Sequence, residues 1–161
     1  MQFFTVWPIG FVRKSEDSES YLEILPEFET GLYRLETISH IFVLWWFDES
    51  DTPEERMASI DLPRVSNSFV PPQEMGNLAT RSPSRPNPIA LTLVKIIRIE
   101  GAHIHVDELE AYDGTPVLDI KPYLPNGDRI DNGVFLPQWF EHLLESRPND
   151  KRFPSNNNSL V

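Results

Sequence analysis

The sequence predicts a mostly β domain. Six or seven short runs rich in β-branched and aromatic residues, turn signals between them, and only two brief stretches with helical spacing carry that prediction. Closing such strands into a small β-barrel, complete or partly open, would remove exposed edges from strands this hydrophobic. The 161 residues suffice to bury a sizeable core and read as one domain over residues 1–146. The Asn- and Pro-containing stretch 147–161 reads as a disordered tail.

Phe3 to Arg13 and Ser20 to Leu25 are predicted strands bracketing a polar connector, Lys14 to Glu19. The apolar start lacks a charged leader and a small-residue cleavage site, so it reads as the first strand and not as a targeting segment. Pro26 to Glu36 has Phe28, Leu32 and Leu35 at helical spacing, interrupted by Gly31, which predicts one helical turn and then a loop. Ser39 to Phe47 is apolar at nearly every position and predicts a strand buried on both faces. Thr52-Pro53-Glu54-Glu55 combines a hydroxyl cap, proline at the first helical position and an acid three residues after the cap, the signature of a short helix.

Phe69 to Pro72 is expected to be extended. Ile89 to Ile99 is the longest β signal, and Glu100-Gly101 turns it back into Ala102 to Val106. Asp113-Gly114 is a further turn, and Val117 to Lys121 a strand halted by Pro122. Gln138 to Ser146 predicts a C-terminal helix with Trp139, Phe140, Leu143 and Leu144 on one side.

Charge narrows the function. A net charge of -11 argues against bulk electrostatic capture of nucleic acid. The acids are unevenly placed, however: between residues 62 and 98 Glu74 stands alone against Arg64, Arg81, Arg85, Lys95 and Arg98. An anionic ligand belongs there. No window has the length and apolarity of a membrane span, and the absence of cysteine removes disulfides and thiolate chemistry, leaving the cytoplasm as the default location.

Arg81-Ser82-Pro83-Ser84-Arg85-Pro86-Asn87-Pro88 sets three prolines and two arginines in eight residues. Each proline fixes its own φ and biases the preceding residue toward extended backbone, so the loop is a stiff, cationic rim with little freedom to lose on binding. A rigid connector with solvated arginines is the alternative. Asp119, Lys121 and Tyr123 share one face of a strand by the twofold period, next to the acid turn at Asp113. A solvated face with one ion pair reads equally from that spacing. His103 and His105 share a strand face, but no third ligand accompanies them, so no metal is expected; His40 reads as a core-edge histidine. Gly-rich phosphate loops, a GxSxG elbow and His-x-x-x-His pairs are missing from the sequence, which leaves Rossmann, kinase and zinc-hydrolase readings without support.

GNLATRSPSRPNPIALTLVKI from Gly76 to Ile96 and DGTPVLDIKPYLP from Asp113 to Pro125 resemble the two signature blocks of the TsaA-like family, the TrmO tRNA methyltransferases. Weaker matches at Pro8-Ile9-Gly10, Ile24 to Phe28 and Ser39-His40-Ile41 extend the resemblance over roughly residues 6 to 125. It implies a β-barrel homodimer that binds S-adenosylmethionine outside the Rossmann architecture, without a metal. The implied reaction methylates N6 of threonylcarbamoyl-adenosine beside the tRNA anticodon. By motif position the cofactor contacts fall on Asp48, Glu49, Arg81, Leu91 and on Asp107, Glu108, Leu109 and Glu110.

A carboxylate base suits so poor a nucleophile as this acceptor amine, and Asp113 is the expected base with Asp119 behind it. Arg85, Asn87 and Lys121 are expected on the substrate. The chain departs from the family pattern in lacking a Pro-Arg-Gln segment after the first strand and in carrying Asp48, Val70 and Ala90 where histidine, arginine and glycine are common. Those departures and the acidity support a second reading, a non-catalytic ligand-binding module that contacts a protein.

Overall fold

The computed structural model describes residues 4–15, 19–58, 60–61 and 75–135. Among the described residues eight strands appear in chain order: β1 (Gly10–Lys14), β2 (Ser20–Ile24), β3 (His40–Trp46), β4 (Ile60–Asp61), β5 (Met75–Gly76), β6 (Ile89–Glu100), β7 (His103–Val106) and β8 (Pro116–Pro122). Two short helices, α1 (Pro53–Met57) and α2 (Pro125–Asp128), accompany them. The chain divides into two compact units. Residues 1–58 and 81–129 contribute the first, and residues 59–80 and 130–161 the second.

In the first unit six strands close a ring in the order β1-β2-β7-β6-β3-β8, every neighbouring pair antiparallel. Closure explains the sequence: strands this apolar leave no backbone edge unpaired. Alternate side chains then point into the ring. Val12 faces Leu22, Leu22 faces Ile104, and Ile41 faces Val94 across neighbouring strands, and none of the five is more than 1% exposed. Each such burial is worth about 1.5–3 kcal/mol, so this layer dominates the stability of the ring.

β3 alternates instead of being buried on both faces. Ile41, Val43 and Trp45 enter the core, whereas Phe42 and Leu44 lie half-buried on the outer surface beside Leu93 and Leu91 of β6. A ring has only one interior, so continuous apolarity in the sequence becomes one core face and one outer apolar face. Leu91, Leu93 and Ile97 remain 53%, 46% and 51% exposed.

Gly10 is required by close approach. A Cβ there would collide with the backbone carbonyl of Glu23 across the β1-β2 pair, and backbone cannot rotate away. Gly10→Ala is therefore expected to lower stability by about 1–3 kcal/mol, read as a fall in the urea midpoint at unchanged m-value. The turn at Gly114, with φ of +83°, takes the left-handed conformation that glycine tolerates best.

The helical turn expected at Pro26 is a 3-10 segment over Pro26–Leu32, followed by a second over Leu35–Thr37. α1 starts where the sequence places it, the Thr52 hydroxyl accepting the Glu55 N–H at 3.2 Å. The described part of the second unit holds the β4-β5 pair and a 3-10 turn over Asn77–Ala79. The extended stretch Phe69 to Pro72, the helix Gln138 to Ser146 and the tail 147–161 lie outside the described residues. Among the described residues no helix is long and apolar enough to cross a membrane.

Candidate functional site

The stiff loop reaches the ring where β3 ends and β6 begins. Pro88 is fully buried, its carbonyl accepts the Phe47 N–H at 2.8 Å, and the Asn87 carbonyl accepts the Ile89 N–H at 2.7 Å. Rooted this way, the loop holds its arginines over the last residues of β3. Trp45 and Phe47 meet edge to face there with centroids 4.6 Å apart, and the Trp45 indole donates to the Thr92 hydroxyl at 3.1 Å. The short turn Asp48–Ser50 follows. Its far side is latched by Asp51, which accepts from the Trp46 indole at 3.0 Å and from the Arg56 guanidinium. The Arg56 hydrogen bond, helped by that indole, holds the Asp51 carboxyl below the ordinary carboxylate range.

Two lobes meet at this end of the ring. The larger, about 450 Å³, is lined by Arg81, Arg85, Leu91 and Thr92. The smaller, about 270 Å³, is lined by Asp48, Glu49, Ser50, Pro83, Tyr112 and Thr115. Trp45, Phe47 and Glu110 border both. The crevice is thus divided by charge: arginines on one side, two acids on the other, and an aromatic pair with one carboxylate at the junction.

Of the residues proposed from the sequence, the crevice gathers Asp48, Glu49, Arg81, Arg85, Leu91 and Glu110. Asp107 is exposed and turned to a different task, its carboxylate accepting the Lys95 N–H at 2.8 Å. Glu108 is exposed, and Leu109, 3% exposed, belongs to the core. Asn87 lines neither lobe and contributes its backbone to the loop root.

The two expected acid-base residues are not brought together. Tyr112 and Thr115 of the acid turn wall the smaller lobe, but the Asp113 carboxylate points to β1, where it accepts the Lys14 N–H at 2.9 Å. Asp119 lies toward the other end of β8. It lines a separate cavity of about 610 Å³ with Ile9, Ile24, Phe28 and Ile38, and it pairs with Lys121 at 2.6 Å. Lys121 itself is exposed and paired across to Phe42, away from the crevice. The described histidines are engaged elsewhere: His105 stacks on Tyr21 at 5.2 Å between Glu19 and Glu100, His103 meets Tyr21 edge-on, and His40 lies 2.9 Å from the Ser39 hydroxyl.

Trp45, Phe47, Tyr112 and Thr115 were not among the site residues proposed from sequence. The signal was two aromatics at a spacing of two, directly ahead of Asp48-Glu49. In sequence that pattern merges with the apolar run of β3.

The fold and crevice define a small antiparallel β domain outside the doubly wound nucleotide folds, with arginines on one side of the crevice and acids on the other. The chain belongs to the tRNA-methyltransferase O N-terminal domain family, whose profile matches residues 11–129. It is 42% identical over 118 residues to an S-adenosyl-L-methionine-binding protein of Archaeoglobus fulgidus, covering 71% of this chain and 76% of that one. A probable S-adenosyl-L-methionine-binding protein of the same organism is 41% identical over 133 residues, covering 81% of this chain and 32% of that one. The rat tRNA (adenine(37)-N6)-methyltransferase is 36% identical over 73% of this chain and 26% of its own length. The crystal structure of TrmO from Pseudomonas aeruginosa superposes with a TM-score of 0.61 at 28% identity, covering 83% of this chain and 62% of that one. The chain therefore spans about a third of the probable S-adenosyl-L-methionine-binding protein, a quarter of the rat enzyme and three fifths of the TrmO chain.

Proposed function

We propose that this protein is an S-adenosylmethionine-dependent tRNA methyltransferase whose cofactor occupies the two-lobed crevice and whose acceptor is N6 of threonylcarbamoyl-adenosine beside the anticodon. The charge division of the crevice carries the proposal. The larger lobe falls within the roughly 300–1,000 Å³ typical of small-molecule pockets. Arg81 and Arg85 suit the amino-acid carboxylate, Asp48 and Glu49 suit ribose hydroxyls, and the Trp45–Phe47 pair with Glu110 suits a cationic sulfur. A bound S-adenosylmethionine would supply an electrophilic methyl group on a sulfonium.

The chain's own work is then positioning and proton removal. The rigid loop root and the Trp45–Thr92 bond fix the walls before any ligand arrives, which lowers the entropic cost of alignment. Glu110 is the carboxylate at the junction of the lobes, so it is placed to take the proton from the acceptor N–H as that nitrogen is methylated. Asp113 could do this only by leaving Lys14. The outer apolar face of Phe42, Leu44, Leu91 and Leu93 is a surface for a second copy, which favours a homodimer.

The net charge of -11 and the binding-protein names of the archaeal relatives favour a second reading, a module that binds S-adenosylmethionine without transferring its methyl group. Calorimetric titration followed by mass analysis of nucleosides from incubated tRNA separates the two. Binding with a 14 Da gain on threonylcarbamoyl-adenosine is expected; binding with no mass gain on any tRNA supports the module, and no binding removes both.

A further inference from the structure

We propose that Lys14 is a positioning residue for the crevice, fixing the 109–113 segment and, through it, Glu110. This rests on the reading of the crevice as the S-adenosylmethionine site. Residues 107–112 form no helix or strand, so their shape is set by bonds to other parts of the chain. Lys14, the last residue of β1, supplies several. Its backbone N–H donates to the Asp113 carboxylate at 2.9 Å, and its ammonium donates to the Ser20 hydroxyl at 2.7 Å and to the Leu109 carbonyl.

Two backbone bonds dock the same turn on the same strand: Gly114 N–H to the Val12 carbonyl and Val12 N–H to the Thr115 carbonyl, both 2.8 Å. Leu109 and Ala111, 3% and 2% exposed, are buried on either side of Glu110. Glu110 thus projects into the crevice from a stretch pinned at both ends, and the Lys14 ammonium is the pin next to it. The ammonium is itself partly buried, which lowers its pKa, while the nearby charges of Glu110 and Asp113 work in the opposite direction. A partly buried cation with two stated acceptors and two carboxylates nearby belongs to the architecture of the wall, unlike a solvated surface lysine.

The chain has no cysteine, so Lys14→Cys introduces a single thiol that can be alkylated selectively. Treatment with 2-bromoethylamine rebuilds an ammonium at lysine's reach, and iodoacetamide adds a neutral group of similar length. Affinity is read by calorimetry with S-adenosylhomocysteine, whose neutral sulfur leaves the charge of the Glu110 wall out of the comparison. The unmodified and carbamidomethylated proteins are expected to bind roughly ten- to hundredfold more weakly than wild type. The aminoethylated protein is expected to return to within about threefold of wild type, a restoration that packing alone does not produce.

Lys14→Gln, which keeps a donor but not the reach, is the second variant and is expected to match the unmodified cysteine protein. Wild-type affinity in either variant overturns the proposal, as does failure of aminoethylation to restore binding to a folded protein. If wild type itself binds neither S-adenosylmethionine nor S-adenosylhomocysteine, the reading of the crevice falls and the role of Lys14 with it.

Discussion

Replacing Arg81 and Arg85 together by alanine is expected to weaken S-adenosylmethionine binding by roughly a hundredfold or more, with unequal contributions from the two arginines. Hydrogen bonds to charged groups are worth about 1.5–3 kcal/mol each, and about 1.4 kcal/mol is tenfold in Kd. Arg81 is exposed, so water and salt screen it and its single substitution falls at or below the low end of that range. Arg85 is half-buried in the same lobe, so its pairing is less screened and Arg85→Ala costs more. Raising the salt concentration should weaken binding by the Arg85→Ala protein more steeply than by the Arg81→Ala protein, because only the exposed cation is left in the former. Asn87→Ala, on the same loop but outside both lobes, is the control and leaves Kd unchanged. Calorimetry on the four proteins decides the matter; equal, wild-type affinities would place the ligand's carboxylate somewhere else.

The ring was legible in the sequence because its β-type runs are separated by turn residues that take the conformation the turn demands at no steric cost. Gly101 and Gly114 both take positive φ, the first at the β6-β7 turn and the second ahead of β8, at the positions where the sequence signals a turn. Thr52-Pro53-Glu54-Glu55 is a local capping device and gave α1 its start for the same reason. What local pattern could not supply is which face of a strand lies inside. β3 is apolar throughout, and only its register with β6 and β8 decides that Val43 is buried while Phe42 faces out.

The same limit governs the site. Arg81 and Arg85 stand out from their prolines, but the loop's destination at Trp45 and Phe47 is set by the burial of Pro88 and one bond to the Phe47 N–H. Asp113 and Asp119 share a signature block and are six residues apart, yet β8 carries the second away from the crevice along its length. Spacing in a strand reports which face a side chain takes and says nothing of which end of the ring its neighbours form. Glu110 had no spacing of its own: its place follows from a coil segment tied to β1 by Lys14 and the Gly114 and Val12 backbone bonds.

Glu110→Gln is expected to lower kcat for methyl transfer by roughly 10²–10⁴ while changing cofactor affinity far less, the signature of a lost general base. The acceptor nitrogen carries a proton that must leave, and the amide of glutamine matches the size of the carboxylate but cannot accept that proton. Among the described acids Glu110 alone lines both lobes, where the proposed reading sets the sulfonium, so a proton acceptor beside the nitrogen that takes the methyl group is this residue before any other. Asp113→Asn makes the contrast. Its carbonyl oxygen can still accept the Lys14 N–H, so the turn keeps its anchor and kcat stays within a few-fold of wild type if Asp113 is only a brace. Loss of turnover in Asp113→Asn with Glu110→Gln active would reverse the assignment and require the Asp113 carboxylate to swing from β1 into the smaller lobe. Single-turnover rates measured with saturating S-adenosylmethionine distinguish these outcomes, because they report the chemical step apart from binding and product release.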